Sequence, residues 1–213
     1  MAQRDWVEWH RDYDEPGSPL QQRLQLVQGH LRAELDHAPA GNIRLISLCA
    51  GQGRDVIGVV AGHRRRGDVR ARLVELDERN VAIARRAGRA AGLDNFEVLH
   101  ADAGTTDACV GAVPARIVLA CGIFGNITAS DIRATVTALP SLCAPDALVL
   151  WTRHRGPPDL TTTIRSWFTE AGFREEAFDI SHDSFMSVGA HRLTSEPTQL
   201  VPGKRLFSFV DKT

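Results

Sequence analysis

The chain has 213 residues, of which 43% are hydrophobic and 24% are charged, and this predicts a single domain over residues 1–213 with a large core. Its formal net charge of −1 argues against a dedicated nucleic-acid-binding protein, because such proteins usually carry a strong basic excess. No apolar stretch approaches the roughly 20 residues that cross a bilayer, and the charged, aromatic N-terminus is unlike a signal peptide, so we expect no membrane association.

The first predicted element is an N-terminal helical cap, or lid, over residues 1–40. It contains WVEWHRDYDEPGSP, which begins at Trp6, is rich in aromatic and polar side chains and ends in a turn-like sequence. The next helix carries apolar residues at steps of three or four, which places them on one face: Leu20, Leu24, Val27, Leu31 and Leu35. The sequence APAGN then ends this helix.

From residue 43 the chain alternates between predicted strands and predicted helices. The strands are expected at residues 43–50, 69–77, 96–102, 115–122 and 147–153. Short apolar strands separated by helices are typical of a parallel sheet covered on both faces. The runs FREEAFDI, SFMSVGAHRL and KRLFSFV have no helix between them, so we predict antiparallel strands at one edge. The predicted fold class is α/β, with a doubly wound, mostly parallel sheet.

The stretch SLCAGQGRD, from Ser47 to Asp55, lies where the first predicted strand meets the next helix. Ligands of doubly wound sheets bind outside the carboxyl ends of the strands, where glycines let the backbone approach them closely. A phosphate-binding P-loop would need a lysine that is missing here. A dinucleotide fingerprint would need a third glycine where Val56 stands. These exclusions leave a nucleoside ligand without a pyrophosphate.

The segment SLCAGQG resembles the D-L-G-C-G-x-G motif of the class I S-adenosylmethionine (SAM)-dependent methyltransferases. Gly51 and Gly53 keep two of its glycines, whereas Ser47 replaces the acid, Cys49 replaces the first glycine, and Ala50 lies between them. The resemblance implies that these five residues bind SAM. It also implies the family's seven-stranded, Rossmann-like methyltransferase fold, with the core over residues 43–213.

The end of the second predicted strand matches the next motif of this family. Glu75 lies 22 residues after Gly53, where the family places the carboxylate that binds both ribose hydroxyls of SAM. Two charge-assisted hydrogen bonds of about 1.5–3 kcal/mol each would make it a main anchor. Leu76 follows it and is included among the implied SAM-binding residues.

Two later segments match the family in the same order, so the resemblance covers roughly residues 43–195. Asp102 and Ala103 correspond to the Asp-Ala pair whose carboxylate accepts a hydrogen bond from the adenine amino group. Cys121 and Gly122, in LACGIFGNI, lie in a segment like the one that passes under the methyl donor. The run SFMSVGAHRL corresponds to the family's antiparallel seventh strand.

Methyl transfer from a sulfonium is an in-line displacement, in which enclosure and alignment contribute about 7–11 kcal/mol and a base about 10²–10⁴-fold. Two residues are nevertheless candidates for a catalytic role. His154, in WTRHRGPP, either accepts a proton near neutral pH or is a solvated loop histidine. Asn126, in FGNI, either orients the acceptor by hydrogen bonding or caps the next helix.

The predicted substrate-binding residues are Trp9, Tyr13 and Arg153. Trp9 and Tyr13 recur with Trp6 and His10 at helical steps, where they either close a lid over the donor or pack on the domain edge. Arg153 is suited to a carboxylate or phosphate on the substrate. No metal is expected, because TRHR follows the fifth strand where a metal-dependent site needs a carboxylate.

The four cysteines are Cys49, Cys109, Cys121 and Cys143. Neither a CxxC motif nor a Cys/His spacing typical of metal ligands is present. Three of the four lie in or beside apolar runs, where cysteine usually acts as a small buried hydrophobe. We therefore expect a reduced, cytoplasmic protein without a structural metal.

The predicted function is transfer of a methyl group from SAM to an O, N or S atom of a small molecule, which leaves S-adenosylhomocysteine (SAH). Two alternatives stay open. One is a SAM-binding enzyme of other chemistry, such as cyclisation or decarboxylation, and the other is a non-catalytic SAM-binding partner protein. The fold alone does not choose among them. A homodimer is also left open, and no nucleic-acid partner is expected.

Overall fold

The computed structural model describes residues 5–181 and 186–210, so the first four residues of the predicted cap, the start of SFMSVGAHRL and residues 211–213 lie outside the description. The α-helices in these ranges are α1 (Trp6–Trp9), α2 (Pro19–His37), α3 (Arg54–Val60), α4 (Glu78–Ala90), α5 (Ala129–Ala138) and α6 (Thr161–Glu170). The strands are β1 (Ile43–Leu48), β2 (Val69–Glu75), β3 (Phe96–His100), β4 (Ala115–Ala120), β5 (Cys143–His154), β6 (Phe173–Ile180) and β7 (Met186–Leu193). None of the described helices is both long enough and apolar enough to span a membrane.

The seven strands form one sheet in the order β3-β2-β1-β4-β5-β7-β6. Strands β1 to β5 pair in parallel, and β7 pairs antiparallel with both β5 and β6. The strand order reverses beside β1, which creates the point where doubly wound sheets bind ligands. The predicted fold class, a mostly parallel seven-stranded sheet with antiparallel C-terminal strands, is confirmed.

The sheet is buried on both faces, which explains why its strands are apolar along most of their length. In β1, Leu45 belongs to the core on one face and Ile46 to the core on the other, because successive side chains of a strand point to opposite faces. Helices α2, α3 and α4 complete the core that contains Leu45, and α5 and α6 complete the other. The three layers leave the carboxyl edge of the parallel strands as the place for a site.

Helix α2 connects the N-terminal region to the sheet. It begins at Pro19 because the Ser18 side chain accepts a hydrogen bond from the Gln21 N–H at 3.1 Å, and proline suits the first helical turn. Four of its five predicted apolar residues are buried in the core: Leu20, Val27, Leu31 and Leu35. The fifth, Leu24, lines the cavity described below, so one helix face serves both the core and the site.

The first four predicted strands each end two residues earlier in the structure than expected, and two later predictions differ more. Strand β5 runs over Cys143–His154 rather than 147–153, because β4 pairs with it from Cys143 and β7 pairs with it as far as His154. The run KRLFSFV is not a strand of the sheet and makes one isolated bridge, between Arg205 and Thr105. Its backbone bonds instead to the loop after β3, where the Leu206 N–H donates to a carbonyl oxygen at 2.8 Å. We call residues 204–210 the C-terminal strap.

Candidate active site

A cavity of about 680 Å³ opens at the carboxyl ends of β1, β2, β3 and β4. The segments that follow these four strands form one side of it. The C-terminal strap and the first part of the N-terminal region, residues 5–17, which we call the cap segment, form the other side together with residues of α2. The carboxyl ends of strands at a topological switch point are where ligands of this architecture bind, so this cavity is the candidate active site.

The glycine-containing loop between β1 and α3 forms one wall of the cavity. Gly51 and Gly53 have φ angles of +56° and +70°, in the left-handed region that favours glycine. A Cβ at Gly51 would lie 2.2 Å from Nε2 of His10, and a Cβ at Gly53 would lie 2.7 Å from Cδ2 of Leu73. Gly51 therefore permits the close approach of the cap segment, and Gly53 permits the packing of the loop on β2.

Cys49 stands where the family motif has its first glycine, and its φ angle is +51°. The left-handed conformation costs a residue with a side chain roughly 1–2 kcal/mol. The side chain lines the cavity, and burial raises the pKa of its thiol, which keeps the sulfur protonated and apolar at neutral pH. Cys49 therefore adopts the left-handed backbone conformation typical of glycine, although it has a side chain.

We expect a Cys49→Gly substitution to leave the free energy of unfolding unchanged or to raise it by up to about 1 kcal/mol. The relief of the left-handed strain outweighs or balances the extra entropy of glycine in the unfolded chain, which is roughly 0.5–1 kcal/mol. Cys49→Val should lower the same free energy by more than about 1 kcal/mol, because a β-branched residue tolerates this φ least. Urea denaturation of the three proteins measures both effects. A glycine variant clearly less stable than the parent would contradict the strain assigned to Cys49.

The carboxylate of Glu75 lies at the end of β2 and joins that strand to the glycine loop. Its Oε2 accepts the Gly51 N–H at 2.7 Å, and its Oε1 accepts the N–H groups of Leu76 and Asp77 at 2.9 and 2.8 Å. Burial raises the pKa of Glu75, and these three hydrogen bonds oppose the rise. A carboxylate offers about four lone pairs, so Oε2 retains one for a ligand hydroxyl.

Asp102 lines the cavity in the loop after β3. Its Oδ1 accepts the Gly104 N–H at 2.7 Å, and its Oδ2 forms an ion pair with Arg205 of the strap at 2.6 Å. The strap is thereby held against a predicted SAM-binding residue. The predicted bond from the adenine amino group stays a prediction, and in this structure Arg205 shares the carboxylate that would accept it.

Aromatic side chains of the cap segment lie over the cavity. Trp9 packs edge to face against Trp6 and Tyr13, with ring centroids 5.8 Å away in both cases. Trp6 also packs on Phe209 of the strap, at 5.9 Å. The cap segment and the strap therefore meet above the site, an arrangement that can shield it from water.

Two ion pairs hold the ends of the cap segment on the domain. Asp5 pairs with Arg79 of α4 at 3.1 Å, and Asp14 pairs with Arg54 of α3 at 2.5 Å. The neighbouring guanidinium holds the pKa of each aspartate below its ordinary value. Because these carboxylates face solvent, the two pairs orient the cap segment more than they stabilise the fold.

His10 provides an imidazole in the cavity wall. Its Nδ1 lies 2.5 Å from the Trp6 carbonyl oxygen and must donate to it, so Nε2, which faces Gly51, is left as an acceptor. Burial lowers the pKa of His10, and the guanidinium groups of Arg54 and Arg23 act in the same direction. The imidazole is therefore neutral near pH 7 and has a free position for a proton at Nε2.

Most residues predicted to bind SAM lie together in the wall of this cavity. They are Cys49, Ala50, Gly51, Glu75, Leu76, Asp102, Ala103, Cys121 and Gly122. Trp9 and Tyr13, predicted to bind substrate, line it as well. Ser47 and Gly53 do not: Ser47 is buried in β1, and Gly53 packs against β2. Direct contact of these two with a cofactor has no support from the geometry.

The structure does not place Arg153 and His154 in this cavity wall. Both belong to β5, where they pair with Ser187 and Met186 of β7. Arg153 is buried and donates hydrogen bonds to the carbonyl oxygens of Phe124 and Pro158. The predicted substrate contact of Arg153 is thus replaced by contacts that hold neighbouring loops, because β5 continues past the predicted rim.

Asn126 does not line the cavity itself but contacts a residue that does. Its Nδ2 donates to the carbonyl oxygen of Gly122, which lines the cavity, at 2.7 Å, and its own carbonyl accepts the Val210 N–H of the strap at 2.9 Å. Helix α5 is capped instead by Thr128, whose side chain accepts the Asp131 N–H at 3.1 Å. Asn126 therefore ties the loop after β4 to the strap, and a role in orienting an acceptor stays a prediction.

Several cavity residues were not identified from the sequence. They come from α2, α3 and the strap: Arg23, Arg54, Asp55, Arg205, Phe207 and Phe209. Arg23 could have been identified from the sequence, because it lies three residues after Leu20 and four before Val27. It therefore places a charge on the apolar face of α2. The strap residues could not have been identified in this way, because no local sequence pattern shows where a segment outside the sheet will lie.

No protein-family model and no curated protein matches the sequence. Solved structures do resemble it. Magnesium protoporphyrin IX methyltransferase (ChlM) from Synechocystis PCC 6803, crystallised with SAM, has a TM-score of 0.67 at 12% identity over 88% of this chain and 90% of its own. An O-methyltransferase family protein from Burkholderia thailandensis has a TM-score of 0.64 at 16% identity over 82% of this chain, which spans 56% of that protein. The [4+2]-cyclase SpnF has a TM-score of 0.59 at 14% identity, over 82% of this chain and 80% of its own.

Likeness at these identities defines the fold. The chain has the fold of the class I SAM-dependent methyltransferases, as the resemblance in its motifs implies. This fold includes the [4+2]-cyclase above, so the reaction must be argued from the site.

Proposed function

We propose that this protein is a SAM-dependent methyltransferase that transfers a methyl group to an O, N or S atom of a small molecule and releases SAH. The observation that carries the proposal is the Glu75 carboxylate bonded to the Gly51 N–H at 2.7 Å inside a cavity that Asp102 also lines. A glycine loop and two acids at successive strand ends suit an adenosine, and a volume of about 680 Å³ is in the range of small-molecule sites.

Each part of the donor has residues suited to hold it. Glu75 would accept a ribose hydroxyl at Oε2, Asp102 would accept the adenine amino group, and the exposed Leu76 side chain, 63% accessible, offers an apolar surface to the base. The glycine loop lets the backbone lie against the ligand. When bound, SAM supplies a methyl group that its sulfonium has already activated.

The chain's own contribution is chiefly enclosure and alignment, which outweigh the effect of a base. Trp6 and Trp9 of the cap segment would exclude water from the donor and acceptor. Where the acceptor must lose a proton, the neutral His10 is better placed than His154, because it lines the cavity and its Nε2 is an acceptor. An amine or thiolate acceptor would need no base.

Methyl-labelled SAM tests the proposal. The purified protein is incubated with the labelled donor and a small-molecule fraction of cell extract, with boiled protein as the control. Label should move from SAM into a new small molecule while SAH accumulates, and the protein alone should bind SAH in a calorimeter. SAH binding with no label transfer in any extract would overturn the methyltransferase assignment.

A second candidate function is a SAM-binding enzyme of other chemistry, which the likeness to the [4+2]-cyclase SpnF favours. It predicts SAM-dependent conversion of a substrate without SAH formation, so the same experiment separates the two.

We place the activity in the cytoplasm, a location that the four free cysteines suit. We propose a small-molecule substrate, with no nucleic-acid partner and no metal.

A further inference from the structure

Arg23, on helix α2, is a buried guanidinium in the wall of the candidate active site. It is 6% exposed and lines the cavity. Its Nη2 donates to the Tyr13 hydroxyl, and its central carbon lies 5.5 Å from the ring centroids of both Trp9 and Tyr13. Within residues 5–181 and 186–210, no carboxylate lies within 4 Å of it to form an ion pair.

Two acids of this part of the molecule, Asp55 and Asp14, have other partners. Asp55 acts on Arg23 from a longer distance, while its own Oδ1 accepts the Val56 N–H at 2.9 Å and burial raises the pKa of its carboxyl group. Asp14 is bound by both terminal nitrogens of Arg54, at 2.5 and 3.0 Å. Neither carboxylate therefore neutralises Arg23 at close range.

A charge removed from water without an opposite charge is costly. Two other largely buried arginines have partners of a different kind: Arg192 pairs with Glu34 at 2.7 Å and Glu176 at 2.9 Å. Arg153 forms no ion pair with a described residue but donates to two backbone carbonyl oxygens. Arg23 is different because its surroundings are aromatic and it faces an open cavity. This contrast suggests that the missing anion belongs to a ligand.

We propose that Arg23 and Tyr13 form a carboxylate-binding subsite within the candidate active site, a proposal that rests on the proposed function. A guanidinium presents paired N–H groups that match the two oxygens of a carboxylate. The Tyr13 oxygen accepts from Arg23, so the hydroxyl proton remains to be donated to the same ligand group. The carboxylate belongs either to the amino-acid tail of the donor or to the methyl acceptor.

Calorimetry with two nucleosides tests the subsite and distinguishes these sources. SAH has the amino-acid tail, whereas 5′-methylthioadenosine has the same adenosine and thioether without it. Binding of both is measured for the parent protein, for Arg23→Gln and for Tyr13→Phe, which removes only the hydroxyl. Arg32→Gln is the matched control, because Arg32 is an exposed arginine on the same helix.

If the donor's tail occupies the subsite, Arg23→Gln should weaken SAH binding at least about tenfold and leave 5′-methylthioadenosine unchanged, with a smaller loss in Tyr13→Phe. If the acceptor's carboxylate occupies it, both nucleosides should bind as before. The SAH-saturated parent should then bind benzoate but not benzyl alcohol, and Arg23→Gln should lose benzoate binding.

Unchanged SAH binding together with no benzoate binding to the parent would overturn the subsite while leaving the proposed function intact. A parent protein that binds neither nucleoside would instead contradict the proposed function itself. Tyr13→Phe keeps the test open if the buried Arg23→Gln substitution prevents folding, because it preserves the ring packing.

Discussion

Replacing Glu75 with glutamine should weaken the binding of SAH by at least about tenfold, because the loss of a charge-assisted hydrogen bond costs roughly 1.5–3 kcal/mol. The substitution keeps the shape of the side chain but removes its charge. Both carboxylate oxygens accept backbone N–H groups, so the new amide NH₂ must face donors at one of the two positions. Isothermal titration of the purified variant with SAH measures the loss.

Glu78→Gln is the matched control for this prediction. Glu78 also lines the cavity, but it lies exposed in the first turn of α4, so its substitution should change SAH affinity less than about twofold. Thermal unfolding of both variants separates a lost ligand contact from a disturbed loop. An unchanged affinity in Glu75→Gln would refute the ribose assignment and remove the main support for an adenosine site.

The residues at strand ends could be predicted from the sequence because the sheet does the positioning. Once β1, β2, β3 and β4 are read as buried parallel strands, their carboxyl ends must share one edge. Four residues at or just after those ends line one cavity: Gly51, Glu75, Asp102 and Cys121. Spacing along the chain was therefore sufficient to bring them together.

The residues at the end of β5 could not be placed in this way. Arg153 ends the predicted fifth strand and His154 follows it, yet β7 pairs with both of them. That pairing depends on a strand more than 30 residues away in the chain, and the arginine that was expected to contact substrate is buried. A local pattern does not contain this information.

The strap shows a second limit of local patterns. KRLFSFV has a strand-like composition, but Leu206 and Phe207 are adjacent and both buried, which a strand with one buried face would not allow. The segment follows the loops above the sheet and places Arg205 on Asp102 at 2.6 Å. Long-range contacts determine the path of the strap, and they thereby determine the side of the cavity that the strap forms.

Removing residues 1–17 should reduce methyl transfer at least about 100-fold while leaving the fold intact, because enclosure and alignment supply most of the acceleration expected here. The deletion takes away the aromatic cover and His10. It should spare the core, since α1 contains no buried residue and α2 keeps its own N-cap, Ser18. Label transfer from methyl-labelled SAM measures turnover, and circular dichroism with thermal unfolding measures the fold.

A full-length Asp5→Asn, Asp14→Asn variant is the matched comparison for the deletion. It keeps every aromatic ring and removes the charges that pair with Arg79 and Arg54. The cap segment should therefore stay attached but close less firmly over the cavity. We expect a rate of methyl transfer between that of the parent and that of the deletion. A truncated protein that turns over at the parental rate would show that the cap segment only packs on the domain edge. A truncated protein that fails to fold would contradict the lid equally, because residues 5–17 would then be part of the structural core.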